Sequence, residues 1–138
     1  MILLTGATGF VGRSVARQLS QSGQAWRAFD GRINNYQHLR QQLAGVTTVI
    51  HLVGSEARSR NRLLQHIDLE GTERLLEEAR RADVRHLIYL SRIGADHNSS
   101  HWLLRIKGEV ERLVRQSGLP YTILRCATLF GQDDRFTE

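Results

Sequence analysis

The stretch Met1-Ile2-Leu3-Leu4-Thr5-Gly6-Ala7-Thr8-Gly9-Phe10-Val11-Gly12 decides how the whole chain is read. Ile2-Leu3-Leu4 is a short apolar run stopped at once by Thr5-Gly6, which reads as a strand buried on both faces. Residues 11–21 carry the spacing of an amphipathic helix, closed near Gly23. The glycines lie between the two. Gly6 permits a tight turn that a Cβ would obstruct, Gly9 lets the backbone come close to a ligand, and Gly12 lets the helix pack on the sheet. A helix start also offers unpaired N–H groups and the positive end of its dipole to an anion. Strand, glycine turn and helix in this order form a cradle for the pyrophosphate of a dinucleotide, with Thr8, Phe10 and Val11 completing the loop.

Working outward, short apolar runs alternate with longer amphipathic stretches. Strands are predicted at residues 25–29 ending at Asp30, 48–53 ending at Gly54, 86–90 ending at Ser91, and 121–124. Helices are predicted at residues 36–43, 60–82 and 101–116. The second of these offers Leu63, Ile67, Leu75, Leu76 and Ala79 for burial, with a break near Gly71. The third carries Leu103, Ile106, Val110, Leu113 and Val114 along one face and stops at Ser117-Gly118. This alternation is the pattern of an α/β fold, a Rossmann doubly wound parallel sheet with helices on both faces. A parallel crossover needs about a dozen residues, and only residues 31–35 separate the second strand from the next helix. No additional βαβ unit fits there, so about five strands are expected. A single domain over residues 1–138 is expected.

The chain has 138 residues and a formal charge of +5, and only one of its nineteen Lys and Arg residues, Lys107, is lysine. No aromatic residues interleave with the arginines as a base-stacking platform needs, so the basic balance reads as solvated helix faces rather than a nucleic-acid surface. One cysteine, Cys126, excludes an internal disulfide and a multi-cysteine metal site. No apolar run reaches membrane-spanning length, and a cytoplasmic location is expected.

The spacing Thr5-Gly6-x-x-Gly9-x-x-Gly12 resembles the short-chain dehydrogenase/reductase superfamily. Val49-Ile50-His51-Leu52-Val53-Gly54 is similar to the strand that passes the adenine and ribose in its extended members. Asp68-Leu69-Glu70-Gly71-Thr72 resembles their Asn-x-x-Gly-Thr helix motif, with Asp for Asn. Residues 86–95, HLIYLSRIGA, resemble the strand ending in the active-site serine. Leu124-Arg125-Cys126 with Leu129-Phe130-Gly131 is similar to the Arg-Pro…Gly segment near the nicotinamide, with Cys126 for Pro. Ser91 to Asn98, Lys107-Gly108-Glu109 and FGQDDRF at residues 130–136 resemble the atypical branch that holds the dehydrogenase-like accessory subunit of respiratory complex I and bacterial epimerase/dehydratase-like proteins.

The resemblance implies binding of NAD, with NADP left open. It places Gly6, Thr8, Gly9, Phe10, Val11, Gly12, Asp30, Arg32, His51, Leu52, Val53, Gly54, Ser91, Lys107 and Cys126 along the cofactor. Asp30 stands where an acid accepts hydrogen bonds from the adenosine ribose and repels a 2′-phosphate, whereas Arg13, Arg27 and Arg32 act in the opposite sense. Ser91 and Lys107 are the implied catalytic residues. Catalytic members carry a tyrosine four residues before the lysine as general acid/base, and here that position is Leu103, which cannot transfer a proton. Trp102 beside it is a donor without useful acidity. A binding, sensing or assembly role is therefore the first expectation. An oxidoreductase or sugar-nucleotide epimerase/dehydratase with another proton donor, or one whose substrate lobe lies outside this chain, is the second. A small-molecule or protein partner is left open. Members commonly pair through the helices carrying Asp68-Gly71-Thr72 and Lys107, so a homodimer is admitted.

Overall fold

Leu3, Val49 and Leu87 occupy matching positions on three adjacent parallel strands, and all three are fully buried. They mark the centre of the fold. The computed structural model describes residues 1–54, 65–132 and 134. Its elements are β1 (Ile2–Thr5), α1 (Phe10–Gln21), β2 (Trp26–Ala28), α2 (Tyr36–Leu43) and β3 (Thr48–His51). A π-helical turn (Gln65–Glu70) runs directly into α3 (Gly71–Arg81), followed by β4 (His86–Arg92), α4 (Trp102–Gln116) and β5 (Tyr121–Cys126).

The five strands form one parallel sheet in the order β2-β1-β3-β4-β5. The passage from β1 to β2 runs one way across the sheet and every later step runs the other. Right-handed crossovers therefore put α1 on one face and α2, α3 and α4 on the opposite one. The expected doubly wound Rossmann sheet of five strands is present, and no strand lies between β2 and α2. The reversal of direction falls between β1 and β3, the kind of switch point at which open α/β sheets hold ligands.

Alternation along the strands sorts the residues between the two faces. Leu3, Val49, Leu87 and Tyr89 join Leu39 and Leu43 of α2, Leu75, Leu76 and Ala79 of α3, and Ile106, Val110 and Val114 of α4 in one core. Leu103 and Leu113 pack against its margin, completing the face expected of α4. On the α1 side, Leu4 is fully buried, Ile50, Ile88 and Leu90 are half-buried, and Leu124 is exposed.

Several boundaries differ from the sequence expectation. β4 continues through Ser91 to Arg92, because β5 itself runs to Cys126 and supplies partners that far. Residues 60–64 of the expected long helix lie outside the described residues. The break expected near Gly71 is the join between π and α geometry.

One buried carboxylate ties two helices together. Glu78 of α3 accepts hydrogen bonds from Arg40 Nε of α2 at 2.8 Å and from Arg81 Nη1 at 2.7 Å. The hydrogen bond from Arg40 holds the Glu78 carboxyl below the usual range and prevails over the opposing effect of burial.

Candidate functional site

The glycine turn leaves the carboxyl end of β1 and lies against the end of β3. Gly6 has φ +73°, and a Cβ there would stand 2.8 Å from Leu52 C and 3.0 Å from Val53 N. A Cβ on Gly12 would fall 1.9 Å from Gly6 O. Both positions therefore require glycine, one for its backbone angle and for contact with β3, the other for contact within the turn. Gly9 is the N-cap of α1, its N–H donates to Gly6 O at 3.0 Å, and the first turn of α1 holds no acidic residue. Thr8 and Gly9 are exposed and Phe10 and Val11 half-buried. The result is a cradle walled by backbone, with first-turn amides that lack intrahelical partners. These residues fit a pyrophosphate: the approach at exposed Gly9 is open, where a Cβ would meet nothing nearer than Gly6 O at 3.3 Å, and the first turn of α1 carries no negative charge.

On one side of this cradle, Asp30 and Arg32 are both exposed in the turn after β2. The Asp30 carbonyl accepts from His38 Nε2 of α2, which folds that turn back onto the helix. On the other side lie Leu52, Val53 and Gly54, with Gly54 exposed. His51, just before them, turns its side chain fully into the core. Its Nδ1 is 2.7 Å from Thr5 Oγ1 and its Nε2 is 2.9 Å from Thr72 Oγ1. The Leu52 N–H donates to the same Thr5 hydroxyl at 3.2 Å. Burial, reinforced by the Lys107 ammonium, pushes the His51 pKa down to about 3, so the ring is neutral. β1, β3 and α3 are thus joined by a neutral imidazole at the end of β3, just before half-buried Leu52 and Val53 and exposed Gly54.

Lys107 is buried on α4 beside that same edge. Its Nζ lies 3.8 Å from Asp68 Oδ2 in the π-helical turn and 5.4 Å from the centroid of the Tyr89 ring. A Cβ built on Gly54 would be 3.6 Å from Nζ. Lysine, carboxylate and strand end therefore converge. Leu103, one turn before Lys107, packs against the core margin.

Ser91 faces a different group. Its buried hydroxyl donates to Glu111 Oε1 at 2.6 Å. Glu111 also accepts from Arg125 Nη2 at 2.7 Å and Arg115 Nη2 at 3.0 Å. Burial raises the Glu111 carboxyl, but the hydrogen bonds from Arg125, Ser91 and Arg115 outweigh it and the net shift is downward. Cys126 is a free, half-buried thiol whose carbonyl accepts from Ile93 N–H at 3.0 Å. After β5 the chain returns toward the glycine turn at Gly131: a Cβ there would lie 4.0 Å from Phe10 Cζ, and buried Asp134 accepts from the Gly131 N–H at 2.6 Å.

The sequence-derived set thus divides. The glycine turn, residues 52–54 and Lys107 meet at the switch point, with Asp30 and Arg32 on the β2 side of it. The side chains of His51 and Ser91 are committed to internal partners. Sequence reasoning named Thr5 and Thr72 within motifs but not their bonds to His51, and it missed Glu111. The available signal for Glu111 was its position one helical turn after Lys107 on the same face.

Among the described residues no His, Cys, Asp and Glu group could hold a metal ion, and no helix is long and apolar enough to cross a membrane.

A family model described as NAD(P)H-binding matches residues 22–137. The mitochondrial NADH-ubiquinone oxidoreductase 40 kDa subunit of Neurospora crassa is 30% identical over 103 residues, covering 75% of this chain and 28% of that protein. The (4-alkanoyl-5-oxo-2,5-dihydrofuran-3-yl)methyl phosphate reductase of Streptomyces griseus is 34% identical, covering 95% of this chain and 49% of that protein. A short-chain dehydrogenase/reductase superfamily protein from Agrobacterium tumefaciens, solved with bound NAD, superposes with a TM-score of 0.79 at 29% identity, covering 91% of this chain and 48% of that one. The chain therefore spans less than half the length of each of these three.

Proposed function

The chain belongs to the NAD(P)H-binding family, and on that premise we propose that it holds a nicotinamide dinucleotide without the tyrosine-based proton transfer of the reductases. The observation that carries this is the backbone cradle at the switch point, where Gly6 and Gly12 leave no room for a Cβ. The pyrophosphate sits against the start of α1. The adenosine runs toward Asp30 on the β2 side, which favours NAD over NADP, while Arg32 is the residue able to offset that preference. The nicotinamide half runs toward residues 52–54 and Lys107. Bound there, the dinucleotide supplies a hydride donor or acceptor.

Leu103 occupies the place from which a phenol would serve that chemistry, and it packs against the core instead. Binding, sensing or assembly is the role that follows. The similarity to a reductase favours a second reading, an oxidoreductase or epimerase/dehydratase with another proton donor, with Lys107 and Ser91 at the nicotinamide end. In that reading Cys126, at the end of β5 beside Arg92, is assigned to the same end of the dinucleotide. A cytoplasmic location and pairing of two copies through α3 and α4 complete the proposal.

Titration with NAD(H) and NADP(H), followed by thermal unfolding, tests it. A ligand that binds only the folded state adds ~2.7 kcal/mol at about one hundred times its Kd, which raises Tm by roughly 10 °C in a chain of this size. No stabilisation by any of these dinucleotides refutes the proposal. Hydride transfer to a carbonyl substrate, abolished in Lys107→Ala, would select the second reading.

A further inference from the structure

Asp68 is a buried charged side chain beside Lys107 that the dinucleotide reading leaves unused. It is 2% exposed and Lys107 3% exposed, with 3.8 Å between carboxylate and ammonium. Both point at the same piece of backbone. A Cβ on Gly54 would lie 3.6 Å from Lys107 Nζ and 3.7 Å and 3.8 Å from the two Asp68 carboxylate oxygens. The pair therefore underlies exposed Gly54, just beyond β3 and across the glycine turn from Asp30. A dinucleotide laid over the switch point with its adenosine toward β2 has its nicotinamide half on this side.

The charge of that ring depends on its redox state. Oxidised nicotinamide is a cation and reduced nicotinamide is neutral. A lone buried ammonium at this edge would repel the oxidised ring and leave the reduced ring unaffected. The Asp68 carboxylate adds one full negative charge beside that ammonium, in a position where burial limits screening by salt. We infer that Asp68 sets the redox-state preference of the site by offsetting Lys107, so that the oxidised dinucleotide is accepted as readily as the reduced one. Asp68 acts here as a specificity-determining residue through charge. The inference rests on the dinucleotide reading above.

The test compares the Kd values of NAD+ and NADH, measured by calorimetric titration of the wild type, Asp68→Asn and Asp68→Glu, each first shown to unfold cooperatively. Asparagine keeps the shape and removes the charge; glutamate keeps the charge. The ratio of the NAD+ Kd to the NADH Kd is expected to rise about tenfold in Asp68→Asn, equivalent to ~1.4 kcal/mol, and to stay near the wild-type ratio in Asp68→Glu. Should Asp68→Asn not fold, the smaller Asp68→Ser supplies the same neutral site with the same expectation. A ratio unchanged in the neutral variants overturns the inference while leaving the dinucleotide reading intact. A wild type that binds NADH tenfold more tightly than NAD+ overturns it without any variant. Failure of the wild type to bind either form overturns both.

Discussion

Lowering the pH should destabilise this fold well before its carboxylates protonate, because of His51. The ring is buried between Thr5 and Thr72 and titrates at about 3 when folded, against about 6.5 in an unfolded chain. Between those values the unfolded state binds the extra proton. Stability is therefore fully present above about pH 6.5 and is lost as the pH falls toward the folded value. Each pH unit inside that window costs ~1.4 kcal/mol, so at about pH 5 the folded state has lost ~2 kcal/mol. That is a large fraction of a typical domain's 5–15 kcal/mol. Urea unfolding of the wild type at about pH 7 and about pH 5, at fixed ionic strength, measures the loss. The control is His51→Gln, whose amide offers a donor and an acceptor to the two threonines but takes up no proton in this range. It should be less stable than the wild type at neutral pH and lose ~2 kcal/mol less on acidification. If both proteins lose the same amount, the assignment of a neutral buried imidazole is wrong.

Two further substitutions probe the cradle and the partner of Ser91. Gly12→Ala would place a Cβ 1.9 Å from Gly6 O and 2.8 Å from Ala7 Cα, both backbone atoms, so the turn itself must move. A stability loss of about 1–3 kcal/mol is expected by thermal unfolding, with dinucleotide affinity weakened at least about tenfold by titration; unaltered affinity would contradict the cradle. Ser91→Ala removes a 2.6 Å hydrogen bond to the buried Glu111 carboxylate. Bonds to charged groups contribute about 1.5–3 kcal/mol, and denaturant unfolding should show a loss of that order.

The fold was legible because its signals are local. The apolar run before Thr5-Gly6, the glycine spacing, and the stripe of Ile106, Val110 and Val114 each need only a few neighbouring residues to be read. The short connection from β2 to α2 excluded another strand by chain length alone. The turn, residues 52–54 and Lys107 were nameable for the same reason, through motifs. What lay out of reach was the direction of side chains across long separations. Nothing near Ser91 in the chain says that Glu111, twenty residues on, takes its hydroxyl. His51 is similarly bound by Thr5, forty-six residues before it, and by Thr72, twenty-one after. Asp68 was visible as a departure from a motif, but its ion pair with Lys107 exists only once the π-helical turn and α4 are brought together.

The π-helical turn at Gln65–Glu70 has a consequence for how chain length works here. Such a turn amounts to one residue inserted into an α-helix, and each inserted residue advances the helical phase by about 100°. α3 keeps the phase that turns Thr72, Leu75 and Ala79 inward, while the residues before it are rotated independently. Deleting Leu69 or Glu70, which lie between Asp68 and α3, would leave the inward face of α3 undisturbed and swing Asp68 away from Lys107. A single-residue indel here is thus equivalent to a change of side chain at the strand end. Two chains alike at every other position could share one interior and present either a neutral ion pair or an uncompensated ammonium beside Gly54.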